Sequence, residues 1–327
     1  MIFSFSSTPD FDFLTHFARH IGAPVENGIL RIPAALGEGY IRKLVFGPDF
    51  KITLHSYTLR EDLIIKRNSS GLGNELITVF FYSNEQALEI AFNGNQEVQF
   101  SERADAAIQV TSNDLSSTVR FPACHSVHYV VVAIKPAYLK ALLVLDKPNR
   151  TLQTITNNGS SFLFFESMTA ETKTLLKHIA ALNMHDGLNH FYMQIKVQEL
   201  LYLLFQQLVL RESEAQYSIN SADVDKLLYI RREILSDLST PPVLSELAQI
   251  AAMSETKLKQ IFKQTFGDTI YNYYQRARME EAAFLLKQGK RSVAETGYEL
   301  GFSNLSHFSR LFEKQYGVTP KRFSAQL

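Results

Sequence analysis

Ser292-Val293-Ala294-Glu295-Thr296-Gly297-Tyr298-Glu299-Leu300-Gly301-Phe302-Ser303-Asn304-Leu305-Ser306-His307-Phe308-Ser309-Arg310-Leu311-Phe312-Glu313-Lys314-Gln315-Tyr316-Gly317 holds two helices and the turn between them. Ser292 and Glu295 form a Ser-x-x-Glu capping box, which opens a helix over 293–300 by satisfying two backbone N–H groups reciprocally. Gly301-Phe302 makes the turn. Ser303 is placed to cap a second helix running to Tyr316, and Gly317 ends it. Leu305, Phe308, Leu311 and Phe312 recur at helical spacing and mark its inward face. Two short helices joined by a tight turn, the second with a polar outer face, make a helix-turn-helix. Thr319-Pro320 then starts a final short helix, because proline is tolerated in the first turn.

The arrangement occurs a second time upstream. Residues 244–251 form a short helix with small Ala248 where another helix can cross. Ala252-Met253-Ser254 turns the chain. Ser254 caps a helix to Phe266, with Leu258, Ile261 and Phe262 inward, and Gly267 ends it. A continuous helix over 269–288 separates the two units. Twenty residues at 1.5 Å each span roughly 30 Å, close to the ~34 Å turn of B-DNA. A spacer of that length sets two recognition helices into successive stretches of major groove. A further helix, 223–238, precedes both units and stops before Pro241-Pro242. Residues 223–327 are therefore expected to form an all-α domain.

Outward from there the texture changes. Residues 1–134 are β-rich: 52–57 alternate, and 76–82 and 127–134 are apolar and β-branched or aromatic. Shorter strands are expected at 87–92, 97–100, 107–112 and 117–121, with turn residues between them. Many short strands with regular turn signals favour a barrel or sandwich. Residues 135–212 read as a helical linker and dimerisation segment. It starts with Pro136 and ends in the apolar helix 188–212, whose apolar residues cover more than one stripe. Polar, small residues at 213–222 read as a linker. The fold class is α+β.

The residues Phe266-Gly267, Arg278, Ala282-Ala283, Leu285-Leu286, Glu299-Leu300-Gly301-Phe302, Phe308-Ser309-Arg310-Leu311-Phe312 and Tyr316-Gly317-Val318-Thr319-Pro320 resemble the signature of AraC/XylS-type transcription regulators. The resemblance covers about 100 residues, matched in order. It implies a C-terminal DNA-binding domain and an N-terminal domain that binds an effector and dimerises. The β-rich part is similar to the cupin-like barrel many such proteins carry. The Phe46-Gly47-Pro48 region and the strand leading to Pro136 resemble a siderophore-responsive branch. One departure is Thr296-Gly297, where the family usually has Ile-Ala. Glycine inside a helix costs about 1 kcal/mol relative to alanine, so the second unit is expected to be less rigid.

The resemblance places Thr256, Lys259 and Gln260 at base-facing positions of the first unit. The matching face of the second carries Ser306, His307 and Arg310. Lysine and arginine donate to guanine, and glutamine pairs with adenine. Lys257, Lys263, Asn304, Lys321 and Arg322 are assigned to phosphates, which position a protein without reading sequence.

Composition excludes other classes. The 327 residues carry 33 basic and 33 acidic side chains. The balance is uneven: from residue 240 onward 12 basic residues face 8 acidic, a net +4 that suits nucleic acid. A single cysteine excludes an internal disulfide framework and a multi-cysteine zinc site. Residues 1–6 do not read as a signal peptide, and no stretch is long and apolar enough to span a membrane, so the cytoplasm is the expected compartment. The sequence holds no G-x-S-x-G, P-loop or G-x-G-x-x-G; Gly71-Leu72-Gly73 lacks the third glycine and a following helix. Cys124-His125 resembles the nucleophile motif of a DNA-repair methyltransferase without its flanking residues, so that enzyme is only a remote alternative. No enzymatic activity, cofactor or metal is expected.

The expected function is sequence-specific DNA binding controlled by a small effector. The effector class (sugar, siderophore or fatty acid) stays open, as do activation versus repression and the operator. Leu54, Phe80, Tyr82 and Tyr129 are the candidate pocket residues. The competing reading is a constitutive DNA binder whose β domain only dimerises. Expected partners are double-stranded DNA, the effector, a second copy of the chain and RNA polymerase.

Overall fold

A computed structural model describes residues 1–8, 11–69, 75–84, 88–91, 97–100, 107–157, 161–182, 187–211 and 217–325. Gly71-Leu72-Gly73 and the first part of the expected linker, 213–216, lie outside them. The chain divides into two compact units, one built on residues 1–225 and one on residues 226–327, with 264–267 grouped with the first.

The strands of the first unit, in chain order, are β1 (Ile2–Ser6), β2 (Val25–Glu26), β3 (Ile29–Arg31), β4 (Gly37–Gly47), β5 (Phe50–Leu59), β6 (Leu63–Asn68), β7 (Ile77–Tyr82), β8 (Leu88–Ala91), β9 (Glu97–Phe100), β10 (Ile108–Ser112), β11 (Ser117–Phe121), β12 (Ser126–Ile134) and β13 (Leu163–Glu166). Its helices are α1 (Phe13–His20), α2 (Pro136–Leu143), α3 (Arg150–Thr156), α4 (Ala170–Ala181) and α5 (Asn189–Val209). The strands form two sheets, ordered β1-β6-β11-β8-β9 and β13-β10-β7-β12-β5-β4-β3-β2. The β1–β6 pair is parallel.

The larger sheet has two unlike faces, because side chains alternate along a strand. One face presents Ile52, Leu54, Val79, Phe81, Val130 and Val132, which pack with Leu175, Leu176 and Ile179 of α4 and Val197, Leu200 and Leu204 of α5 into one apolar cluster. Truncating such a side chain to alanine costs about 2–5 kcal/mol. The register fixes the other face: Tyr129 lies opposite both His55 and Tyr82, and Val131 opposite both Thr53 and Phe80. That face looks toward the smaller sheet.

The segment 135–212 is not helical throughout. Leu163-Phe164-Phe165-Glu166 is strand β13, which pairs antiparallel with β10 at the edge of the larger sheet. Its three apolar residues are too few to show a period of their own. Strand β4 carries no clear strand pattern in the sequence either, since Gly37, Gly39 and Gly47 interrupt its apolar residues.

The second unit is helical: α6 (Ser221–Ser236, which begins in the first unit), α7 (Leu244–Ile250), α8 (Glu255–Phe266), α9 (Ile270–Lys287), α10 (Val293–Glu299), α11 (Leu305–Tyr316) and α12 (Pro320–Ala325). Met279, Ala282 and Leu286 of α9 form a core with Leu300, Phe302, Phe308 and Phe312. Both halves of the Ser292/Glu295 capping box are present. The α11 cap is Asn304, not Ser303: its Oδ1 accepts from Ser306 N at 2.9 Å and His307 N at 3.2 Å. The amide side chain one position later reaches both free N–H groups.

Gly297 is also a packing residue. A Cβ there would lie 2.6 Å from Leu305 Cδ2 and 3.2 Å from Phe308 Cδ1, so its bare α-carbon is what lets α11 close on α10. Gly301 needs its freedom: its φ is +75°, and a Cβ would fall 1.9 Å from Ser239 O.

Candidate functional site

The outward polar face begins with the turns that aim it. In the first helix-turn-helix, Ala252 takes the left-handed conformation at φ 47° between α7 and α8. Ser254 Oγ accepts from Lys257 N at 3.2 Å and starts α8. Thr256, Lys259 and Gln260, at i, i+3 and i+4, share one helical face. Thr256 and Lys259 are exposed; Gln260, Lys257 and Lys263 are less so or half-buried along the same helix. Gln260 Oε1 is covered and has no hydrogen-bond partner.

In the second unit Ser306, His307 and Arg310 are all exposed at the start of α11. His307 stands edge-on to Phe302, with ring centroids 5.9 Å apart. Asn304 is exposed too, but its carbonyl oxygen is committed to the cap, which constrains the phosphate role expected for it. Lys321 and Arg322 are exposed on α12. Behind this face, buried Arg278 donates from Nη2 to Leu300 O and lies 3.7 Å over the Phe302 ring. That contact pins the α10–α11 turn to α9, a helix of 18 residues, about 27 Å long at 1.5 Å per residue.

The second candidate site is internal. A cavity of about 140 Å³, counted as space open to the centre of a water molecule, lies between the two sheets. One water needs only about 10–15 Å³ by that measure, so the space admits a small organic molecule. Phe80, Tyr82 and Tyr129 line it. Leu54 does not: it belongs to the apolar cluster on the opposite face of the sheet. Its neighbours Thr53 and His55 face the cavity instead. The more apolar parity of β5 serves the core, and the more polar parity serves the void.

The lining is aromatic. His55 and Tyr129 stack at 4.0 Å, Phe121 and Tyr129 at 5.4 Å, and Phe5 and Phe11 at 4.3 Å. It also holds charge. Lys43 Nζ pairs with Asp12 Oδ1 at 2.8 Å. Desolvation, then the neighbouring Lys43 charge, lower the pKa of Lys51. Burial drives His55 down to about 3, so the ring is neutral at pH 7. Burial likewise pushes the Tyr82 and Tyr129 hydroxyls up.

Arg67 is the residue that sequence reading misses. It is 6% exposed, and its Nε and Nη2 have no hydrogen-bond partner. Burial lowers its pKa to about 10, which still leaves it charged at pH 7. Its parity on β6 matches buried Leu63 and Ile65, and that alternation is the signal the sequence offers.

Cys124 sits exposed in the turn between β11 and β12 at φ 59°, not buried in the core as a lone cysteine usually is. No helix among the described residues is long and apolar enough to cross a membrane.

Two family models match the chain: a helix-turn-helix domain over residues 247–326, and the N-terminal domain of regulatory protein PchR over residues 38–219. The transcriptional activator RhaR of Escherichia coli strain K12 is 30% identical over 132 residues, which are 38% of this chain and 46% of that protein. The chain thus spans about half the length of the curated relatives it matches. An AraC-type regulator from Chromobacterium violaceum is 28% identical over 33% of this chain and 96% of its own, with a TM-score of 0.31. ToxT from Vibrio cholerae with bound unsaturated fatty acid is 14% identical over 85% of this chain and 95% of its own, with a TM-score of 0.33. The PchR-type domain alone covers more than half of the residues; the chain belongs to the AraC/XylS-type regulators, with a PchR-type N-terminal domain ahead of the helix-turn-helix domain.

Proposed function

We propose that the protein is a sequence-specific DNA-binding transcription regulator whose grip on DNA is set by a small molecule held between the two sheets. The observation that carries this is the pair of exposed polar faces at the starts of α8 and α11, each behind a tight turn and joined through the rigid α9. Thr256, Lys259, Gln260, Ser306, His307 and Arg310 would reach base edges. Lys257, Lys263, Asn304, Lys321 and Arg322 would meet phosphates. The regulator would act in the cytoplasm and on RNA polymerase at the promoters it marks.

The cavity favours effector control over a β domain that only dimerises, since a scaffold has no need of an aromatic void with buried His55 and Arg67 on its wall. Control requires the effector to bind two states of the protein unequally. Dimerisation through α5 fits the same scheme. Phe191, Ile195, Tyr202 and Val209 are exposed on it at spacings of four and seven residues, which leaves an apolar stripe uncovered in the single chain.

The test is selection of bound sequences from random double-stranded DNA at about 0.15 M salt, where loose phosphate attraction is partly screened. Two blocks about one helical turn apart are expected. A single block would reduce one unit to gripping phosphates. Absence of any motif, with and without candidate effectors, would end the proposal.

A further inference from the structure

Arg67 poses a physical problem for the unliganded protein. Nε and Nη2 of this buried guanidinium find no partner among the protein's own atoms, and a buried donor left unpaired is costly. The Tyr82 hydroxyl and then Asp114 favour its charged form, yet it forms no ion pair with a described residue. Asp114 accepts from the Ser161 hydroxyl through Oδ2, while its buried Oδ1 has no hydrogen-bond partner. Register places Phe5 on one side of Arg67 and Ser117 on the other, and all three line the cavity. The guanidinium is thus an anion site within an aromatic chamber.

We propose that the cavity takes an organic acid with a flat, unsaturated body, its carboxylate bound by Arg67 and its body held among His55, Phe80, Phe121 and Tyr129. Guanidinium geometry matches a carboxylate through two parallel N–H···O bonds, and these are strongest where water is excluded. The neutral ring of His55 stacks on Tyr129 without competing for the anion. The other basic groups of the chamber stand elsewhere along the strands. Lys51 is four residues from His55 on β5, roughly 13 Å at the strand rise, and Lys43 is occupied by Asp12. Arg67 is thus the buried cation of the wall, while Lys43 is committed to Asp12.

This inference names the ligand class for the effector site proposed above and rests on that reading. The experiment is calorimetric titration of the full chain with benzoate, cinnamate and octanoate, each against its neutral amide, together with melting curves of the unliganded protein. We expect an aromatic acid to bind at least ten-fold more tightly than its amide, and Arg67→Met to erase that preference while Lys51→Met keeps it. Arg67→Met should also melt no lower than wild type, because it removes a buried cation with two unpartnered nitrogens; Arg67→Lys should retain part of the preference. Binding of none of the acids, equal binding of acid and amide, preference for octanoate over both aromatic acids, or transfer of the loss to Lys51→Met would each overturn the assignment. So would a marked fall in the melting temperature of Arg67→Met, which would make the residue structural. Mobility shifts on selected DNA separate the two readings. Acid binding without any change in DNA affinity sinks effector control and leaves the site; specific DNA binding with no acid bound sinks the site alone.

Discussion

The two units keep their candidate functional side chains in opposite places. The helical unit closes an apolar core around Phe302, Phe308 and Phe312 and turns Lys259, Ser306, His307 and Arg310 outward. The sheet unit buries His55, Arg67, Gln109, Tyr82 and Tyr129, and several of these surround a void. A surface that meets DNA needs polar groups free in water, because its partner is large and highly charged. A chamber that meets a small molecule needs few polar groups, desolvated and fixed in direction. The contrast separates a unit whose changes should alter DNA affinity from one whose changes should alter ligand affinity and acid stability.

The largest effect expected comes from adjacent residues on β7. Phe81 is fully buried on the apolar face, whereas Phe80 is half-buried on the cavity wall. Phe81→Ala should cost about 3–5 kcal/mol, since it leaves a hole in a packed core. Phe80→Ala enlarges a space that already exists and should cost roughly 1–2 kcal/mol. Equal losses in urea denaturation would mean that the chamber is packed shut, and the contrast between the units would fail.

Acid stability gives the next largest effect. His55 titrates near 6.5 when unfolded and about 3 when folded, because burial penalises its charged form. Its contribution is therefore fully present above pH 6.5 and is lost as pH falls toward 3. One extra proton bound by the unfolded chain gives a slope of ~1.4 kcal/mol per pH unit. Between pH 6.5 and 4.5 wild type should lose roughly 2–3 kcal/mol more than His55→Asn. Parallel pH profiles for the two proteins would place His55 in contact with water.

Much of the helical unit is legible in the sequence because its determinants are local. The capping box at Ser292 and Glu295, the turn at Gly301 and the apolar spacing of α11 all lie within 26 consecutive residues. The difference there is of one position, with Asn304 taking the cap expected of Ser303. The β-rich nature of the first unit is legible too, since 107–112 and 117–121 fall on β10 and β11. Which face each strand turns inward is not. Leu54 reads as a pocket residue because it is apolar, but both faces of β5 are covered, and only pairing with β4 and β12 decides which one meets helices. Arg67 escapes notice for the complementary reason: a charged residue near a strand end reads as solvent-facing unless its parity with Leu63 and Ile65 is followed. Gly297 reads as a weakness because propensity is a local cost, while its benefit, the approach of Leu305 and Phe308, is tertiary.

On the helical unit the expected effects are smaller in stability and fall on affinity. Arg310 is exposed and forms no ion pair or hydrogen bond with a described residue, so Arg310→Ala should leave the melting temperature unchanged. It should weaken operator binding by ~1–3 kcal/mol and relax one base position. Unchanged selectivity in a mobility-shift titration would remove it from the reading face.

The smallest effect tests the split between base and phosphate contacts. Lys321 is exposed on α12, the helix that begins at buried Pro320, away from the cap that starts α11. If it neutralises one phosphate, Lys321→Ala releases about one fewer counterion on binding, and the slope of log affinity against log salt should fall by about 0.9. All sequences should weaken alike, because a phosphate carries no base identity. Arg310→Ala should instead weaken the preferred sequence far more than a scrambled one. If Lys321→Ala changed the selected sequence while the salt slope stayed fixed, α12 would belong to the base-reading surface. The boundary between reading and gripping residues would then have to move toward the C-terminal end of the chain.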